Sequence, residues 1–417
     1  MTIGRTIVSA TGHRWRRLAK RVLRRQTQRQ RTERRIERLR HSICDRLAAD
    51  RADEARRTAA TATDHRPDCL VTADLHVATA AHVGDDRHAL ELAIDTAHRR
   101  LAALPDAGEP PRLDPRQRVF CSGYFYSGSS AVVDFLHDHD GVVKWPPRGE
   151  MRLIKSPNGL ADLAQRHADT GRLTAADLTG FYLHLVGQTL TLTPPGTHHP
   201  IEKVNANSRR LLAEPVAAGY LRHCLSGFLR LVEINGPQLS TAALETFCRQ
   251  LVAGALDAAA RDTGASVLVV DQAVTAWRLP LARFVPPSSF VVVHRDPRDN
   301  FAEARTVLRQ PGRTEPTATG YVGSYRKKRA KAMAALPLLI ERGHRTLTLG
   351  FEDFVIDHAT SAERIRRFTG LDGHTHRPRR FRPERSRANI GKFRQHTSDE
   401  EIATITRELT EFLHPTV

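Results

Sequence analysis

One stretch combines residue types suited to holding an anion. A short apolar run, Val119-Phe120-Cys121, leads into Gly123, Tyr124, Phe125, Tyr126, Ser127, Gly128, Ser129 and Ser130, and an apolar helical pattern follows to Leu136. Gly123 and Gly128 let the backbone turn tightly and approach a ligand. A helix starting near Ser129 presents unpaired N–H groups and the positive end of its dipole. The hydroxyls of Ser127, Ser129 and Ser130 add donors. Together these make a phosphate cradle, although the Lys that ends a Walker A loop is missing. A second anion site is legible at Arg295, which opens Arg295-Asp296-Pro297-Arg298-Asp299 directly after an apolar run. A guanidinium at a strand end can hold a phosphate through two parallel hydrogen bonds.

The surrounding pattern predicts the elements that position these residues. Strands are expected at 118–122, 266–271, 290–294 and 346–350, with a further one at Met151–Lys155. Helical periodicity covers 129–138, 174–190, 207–231 and 240–262, a segment through Trp277 and Leu281, and residues from Asn300 onward. Apolar strands alternating with helices imply a parallel sheet covered on both faces. Ligands of such sheets bind beyond the carboxyl ends of the strands, so the loops after Phe120, Val270 and Val293 should converge.

The 417 residues carry a net charge of +18, which favours anionic partners. Residues 1–46 hold fifteen Arg or Lys against Glu33, Glu37 and Asp45, an excess of twelve. Residues 13–60 read as one basic helix whose stripe is Trp15, Leu18, Val22, Ile36, Leu39, Ile43 and Leu47. That stripe suits an anionic membrane or polymer, the body of its own chain, or a second copy in a homo-oligomer. Residues 1–104 are thus expected as a basic, mostly helical region, 105–116 as a Pro-rich linker, and 117–417 as the catalytic domain. Five scattered cysteines without a Cys-x-x-Cys pair argue against a disulfide framework and a cysteine zinc site. The absence of an export signal or a membrane-length apolar run points to the cytoplasm, with membrane-peripheral attachment through the arm. High Ala, Arg and His usage with little Lys suggests a GC-rich bacterial genome.

Four segments, in order, resemble the sulfotransferases that use 3′-phosphoadenosine 5′-phosphosulfate. The strand-loop-helix at 119–136 resembles their 5′-phosphosulfate loop. Val269-Val270-Asp271-Gln272 followed by Phe290 to Asp299 resembles their 3′-phosphate element. Leu349-Gly350-Phe351-Glu352-Asp353-Phe354-Val355 is similar to their Tyr-Glu-Asp-Leu-Val segment. Ser386-Arg387-Ala388-Asn389-Ile390-Gly391-Lys392 resembles the C-terminal loop that closes over the nucleotide. The resemblance covers about 118–413 and implies a P-loop-like three-layer α/β sandwich. By that resemblance the cofactor contacts include Arg295, Arg298, Glu303, Ser386, Asn389, Gly391 and Lys392 beside the cradle, and no metal is needed. Glu150 falls where the protein-tyrosine sulfotransferases place a base, two residues before Arg152.

Three positions depart from the family pattern. Tyr126 stands where a Lys or Arg usually precedes Ser-Gly, Gln272 follows the strand Asp in place of Lys, and Glu303 replaces the Ser eight residues after the Arg. Lys155 and Lys203 are the candidates to supply the missing cations. The expected function is transfer of a sulfuryl group to a hydroxyl or amine of a small-molecule, lipid or glycan acceptor. The alternatives are a P-loop kinase and a non-catalytic nucleotide-binding protein whose basic arm does the work.

Overall fold

A computed structural model describes residues 30–106, 108–124, 126–192, 200–308 and 315–417. Its centre is an all-parallel sheet of five strands: β1 Arg118–Gly123, β2 Val142–Trp145, β3 Val267–Asp271, β4 Ser289–His294 and β5 Arg345–Gly350. Their order across the sheet is β2-β3-β1-β4-β5. Every connection between such strands must cross over the sheet, and helices supply the crossings. Because both faces are covered, the strands are apolar on both sides. Phe120, Leu268, Val270, Phe290 and Val292 face one helical layer. Val119, Cys121, Val269, Val291, Val293, Leu347 and Leu349 face the other, where Val132 and Phe135 of the helix Ser129–His137 meet Phe354 and Ile365. Register puts Phe120 beside Val270 and Phe290, and the two phenylalanine rings stack at 5.0 Å.

The order places β1 between β3 and β4. The carboxyl end of β1 is therefore flanked by the ends of both neighbours, the crevice where ligands of open α/β sheets bind.

Several expectations are corrected. Met151–Lys155 is not a strand; the edge strand is Val142–Trp145, too short to stand out in the sequence. The carbonyls of Leu153 and Ile154 accept instead from Leu160 and Ala161, capping the helix Leu160–Thr170. The helix expected over 207–231 is two helices, Pro200–Leu212 and Ala218–Ile234, separated at Pro215, which lacks an N–H and disfavours a continuous helix. The segment through Trp277 is a 3₁₀ stretch, Ala276–Phe284, containing Pro280. The basic helix runs over 30–48, breaks at Asp50 (φ 57°) and resumes at Ala52–Asp64. Trp15, Leu18 and Val22 lie outside the described residues.

The apolar stripe of 30–48 is covered by the protein itself. Ile36, Leu39, Ile43 and Leu47 pack on Ala55, Ala59 and Leu75. Two further helices, Leu70–His82 and Asp86–Ala103, share the main core through Val77, Ala78, Ala93 and Ala97. Asp74 is fully buried between them, accepting a hydrogen bond from Tyr182 at 2.7 Å and pairing with Arg100. An unpaired charge there would be costly, so the triad ties 70–103 to the helix Ala175–Val186. Among the described residues no helix is long and apolar enough to cross a membrane.

Candidate functional site

The cradle forms as the residue types dictate. Ser127 donates its N–H to the carbonyl of Tyr124 at 3.0 Å, turning the chain at the end of β1. Tyr126 takes a left-handed φ of 54° and Gly128 one of 78°. A methyl group on Gly128 would lie 2.2 Å from the Phe351 ring, so only glycine fits both the conformation and the space. A methyl group on Gly123 would meet Ser127 Oγ at 2.5 Å and Ser129 Oγ at 2.7 Å, filling the hollow of the loop. Ser127 Oγ is buried with no hydrogen-bond partner. Such an orphan is rare in a folded interior and suits a ligand oxygen.

Gln272, at φ 50°, spans the loop. Its Nε2 donates to Ser129 Oγ at 2.7 Å and its Oε1 accepts from the Gly123 N–H at 3.4 Å. A neutral amide thus holds the loop through one donor and one acceptor, which a lysine cannot do.

The cradle opens into a cavity of about 930 Å³. Gly123, Tyr126, Ser127, Gly128, Ser129 and Ser130 line one end. Glu150, Lys155 and Lys203 line the same cavity, so those three proposed catalytic residues do converge on it. Met151 positions the first two by donating its N–H to the carbonyl of Asp271 at 3.2 Å, which stitches this segment to the end of β3. Lys155 Nζ lies 2.8 Å from Glu150 Oε2, and Arg152 lies 3.0 Å from the same oxygen. Partial burial works to raise the Glu150 carboxyl, but Lys155, Arg152 and Lys203 outweigh it and hold it below the ordinary glutamate value. Burial pushes the Lys155 ammonium down, with Glu150 opposing. Asp271 also faces the cavity; burial pushes its carboxyl up, and Lys144 at 3.2 Å opposes.

The residues proposed for the 3′-phosphate gather beside the cradle but do not line this cavity. Arg295 is buried at the end of β4. It donates through Nη1 to the Tyr126 carbonyl at 3.1 Å and through Nη2 to the Asn389 carbonyl, and its guanidinium lies 5.2 Å from the Phe351 ring centroid. Arg298 grips Asp296 with two hydrogen bonds and donates to the carbonyl of Val417 at 3.0 Å. Lys392 pairs with Glu303 at 3.4 Å. Asp299 accepts from the N–H groups of Gly391 at 2.7 Å and Phe393 at 2.9 Å, and Ser386 accepts from the Asn389 N–H at 3.0 Å. Glu352, a further acid in the region, accepts from the Asp296 N–H at 2.9 Å, and burial pushes its carboxyl up to about 6.

Arg152, Trp277, Arg278 and Lys328 are among the cavity residues that the sequence did not single out as site members. Arg152 was legible only as a partner of Glu150, whereas it lines the cavity itself. Trp277, Arg278 and Lys328 come from the 3₁₀ stretch and from the helix Ala318–Glu341, neither of which carries a motif. His184, on the helix Ala175–Val186, is buried; its ring bonds the Arg152 backbone, and burial pushes it down to about 4. Among the described residues, no group of three or more His, Cys, Asp or Glu is placed to hold a metal ion. In comparisons with known proteins, no family model matches the chain and no curated protein matches it.

Proposed function

We propose that this chain is a sulfotransferase that moves a sulfuryl group from 3′-phosphoadenosine 5′-phosphosulfate to a hydroxyl or amine of a small-molecule, lipid or glycan acceptor. The observation that carries the reading is the shared cavity: the cradle at one end and the Glu150–Lys155 pair on its wall. Sulfuryl transfer is in-line displacement between two oxygens, so positioning and charge stabilisation supply most of the catalysis. The co-substrate contributes an activated sulfuryl group. The cradle N–H groups and the unpartnered Ser127 hydroxyl bind its anionic end. Glu150, ionised at neutral pH, accepts the proton of the acceptor hydroxyl as the new S–O bond forms. Lys155 stabilises the charge that collects on the departing phosphate oxygen.

The two ends fit the co-substrate unequally. The cradle offers space and the unpartnered Ser127 hydroxyl. At the 3′ end each cation has an internal partner, so binding a phosphate there requires Lys392 to leave Glu303 and Arg298 to leave Asp296. That observation favours one rival, a P-loop kinase, which needs no 3′-phosphate site. The Gly123-x₄-Gly128-Ser129-Ser130 spacing and the nearby Asp271 also suit it.

Thermal unfolding with adenosine 3′,5′-bisphosphate and with ADP plus magnesium separates the two, because a ligand of the folded state raises Tm by mass action. The sulfotransferase reading expects the bisphosphate to raise Tm and sulfuryl transfer to appear across a panel of phenols, sugars and amines. A shift with ADP and magnesium alone overturns it.

A further inference from the structure

We propose, resting on the sulfotransferase reading, that the acceptor is itself an anion: a hydroxylated compound whose carboxylate, sulfate or phosphate group is received by Arg278 and Lys328 around Trp277. Charge is the first reason. Among the described residues, five cationic side chains line the cavity against two carboxylates, Glu150 and Asp271. Both carboxylates are matched locally, Glu150 by Lys155 and Arg152, and Asp271 by Lys144 from outside the cavity. A positive surplus remains inside a concave site, where low-dielectric walls focus the field on incoming anions.

Placement is the second reason. Arg278 Nη1 donates to the backbone carbonyl of Lys155 at 2.9 Å, and the ammonium of that same lysine rests on Glu150. The guanidinium therefore stands about one lysine side chain away from the proposed base. An acceptor that presents its hydroxyl to Glu150 extends its remainder toward Arg278. Beyond it lies Trp277, with Lys328 Nζ 5.3 Å from the ring centroid, within cation–π range. Burial depresses the Lys328 ammonium, and an arriving anion relieves that cost. The hydroxyl-bearing Thr317 and Ser324 line the same wall. The cradle end has its own donors in the Ser127–Ser130 loop, so the Arg278–Lys328 pole is left for the acceptor. The Trp277 ring, with Lys328 over it and Arg278 next in the chain, fits a planar or cyclic acid better than a neutral alcohol.

The test uses the full chain and two probes of equal shape, 4-hydroxyphenylacetate and 4-hydroxyphenylacetamide. Equilibrium dialysis without donor should show the acid binding roughly tenfold tighter than the amide, with the preference shrinking as salt rises. Arg278→Gln and Lys328→Gln should each reduce the acid-to-amide ratio several-fold. Arg278 is exposed and Lys328 half-buried, so neither substitution removes a core side chain, and either variant alone keeps the test informative. Equal binding of acid and amide, no acid binding at millimolar concentration, or a preference that survives both substitutions overturns the inference. Turnover with the sulfuryl donor separates the two layers. Equal transfer to acid and amide sinks the anionic-acceptor inference and leaves the sulfotransferase reading intact. Preferential acid binding with no sulfuryl transfer sinks the reading and leaves the anion site standing.

Discussion

Arg295 donates to the backbone carbonyl of Tyr126 at 3.1 Å while its other Nη reaches the carbonyl of Asn389. One buried guanidinium thus bridges the cradle loop and the C-terminal loop, 169 and 94 residues away. Its first duty is to hold Tyr126 in a left-handed turn.

Removing that bridge should loosen the cradle as well as the protein. Arg295→Ala leaves two carbonyls without their charged donor, at a cost of about 1.5–3 kcal/mol per hydrogen bond. We expect a lower Tm and loss of the stabilisation by adenosine 3′,5′-bisphosphate. Arg295→Lys should restore little of either, because one ammonium cannot reproduce the planar fork. Full recovery by lysine in a thermal-shift assay would show that only the charge matters.

Gly128→Ala tests the cradle by shape alone. The new methyl group would enter the Phe351 ring, at a backbone angle that L-residues rarely adopt. Overpacking of this kind costs about 1–3 kcal/mol. Denaturant unfolding should register that loss together with weaker bisphosphate binding. An unchanged midpoint would mean that the loop shifts without penalty.

Glu150→Gln keeps shape and removes the base. We expect kcat to fall on the order of 10²-fold. The bisphosphate shift in Tm should persist or grow, since a negative charge leaves the cavity. Because its neighbours hold the Glu150 carboxyl below the ordinary glutamate value, it stays ionised as pH falls through 5. The wild-type pH profile of kcat/KM should therefore show no acid limb from this group between pH 7 and 5. A limb in that window, abolished in the Gln variant, would contradict the assigned environment.

Glu352 makes the opposite prediction about pH. It is 1% exposed, and its folded-state pKa, raised by burial to about 6, exceeds the ordinary glutamate value of 4.5. The folded protein binds the proton more tightly than the unfolded chain between those values, so stability falls as pH rises through the window. The penalty at neutral pH is about 2 kcal/mol. Glu352→Gln keeps an oxygen to accept the Asp296 N–H. It should raise Tm at pH 7.5 and make little difference at pH 4.5. An equal effect at both values would show that charge burial is not the cause.

The basic N-terminal helix should matter to stability. Ile43 is fully buried against Ala55, Ala59 and Leu75. Ile43→Ala should cost about 2–5 kcal/mol in denaturant unfolding, as for other buried aliphatic truncations. Arg40, in the same helix, donates to Gln188 and lies 3.9 Å from Glu202, the neighbour of cavity-lining Lys203. Arg40→Met should therefore also raise KM for the acceptor. A variant with native Tm and KM would leave this helix without the positioning role its contacts assign.

Local chemistry was legible from the amino-acid order alone. Period and composition marked β1, β3, β4 and β5, because buried parallel strands are apolar throughout and their loops carry Gly, Ser and Asp. The cradle was legible because glycine and serine at those spacings satisfy a strand-to-helix turn locally. What the tertiary structure alone decided is who stands opposite whom. Gln272 reaches Ser129 only because β3 pairs with β1, a neighbour relation between strands separated by well over a hundred residues. Arg298, Lys392 and Glu303 read as phosphate ligands in sequence, yet folding gives each an internal partner. Trp277, Arg278 and Lys328 have no local signature, and only the packing of the 3₁₀ stretch against the helix Ala318–Glu341 brings them to the cavity that holds Glu150. Hydrophobic period and turn chemistry are short-range and survive in a linear reading. Charge pairing and cavity walls depend on through-space distance, which the order of residues does not carry.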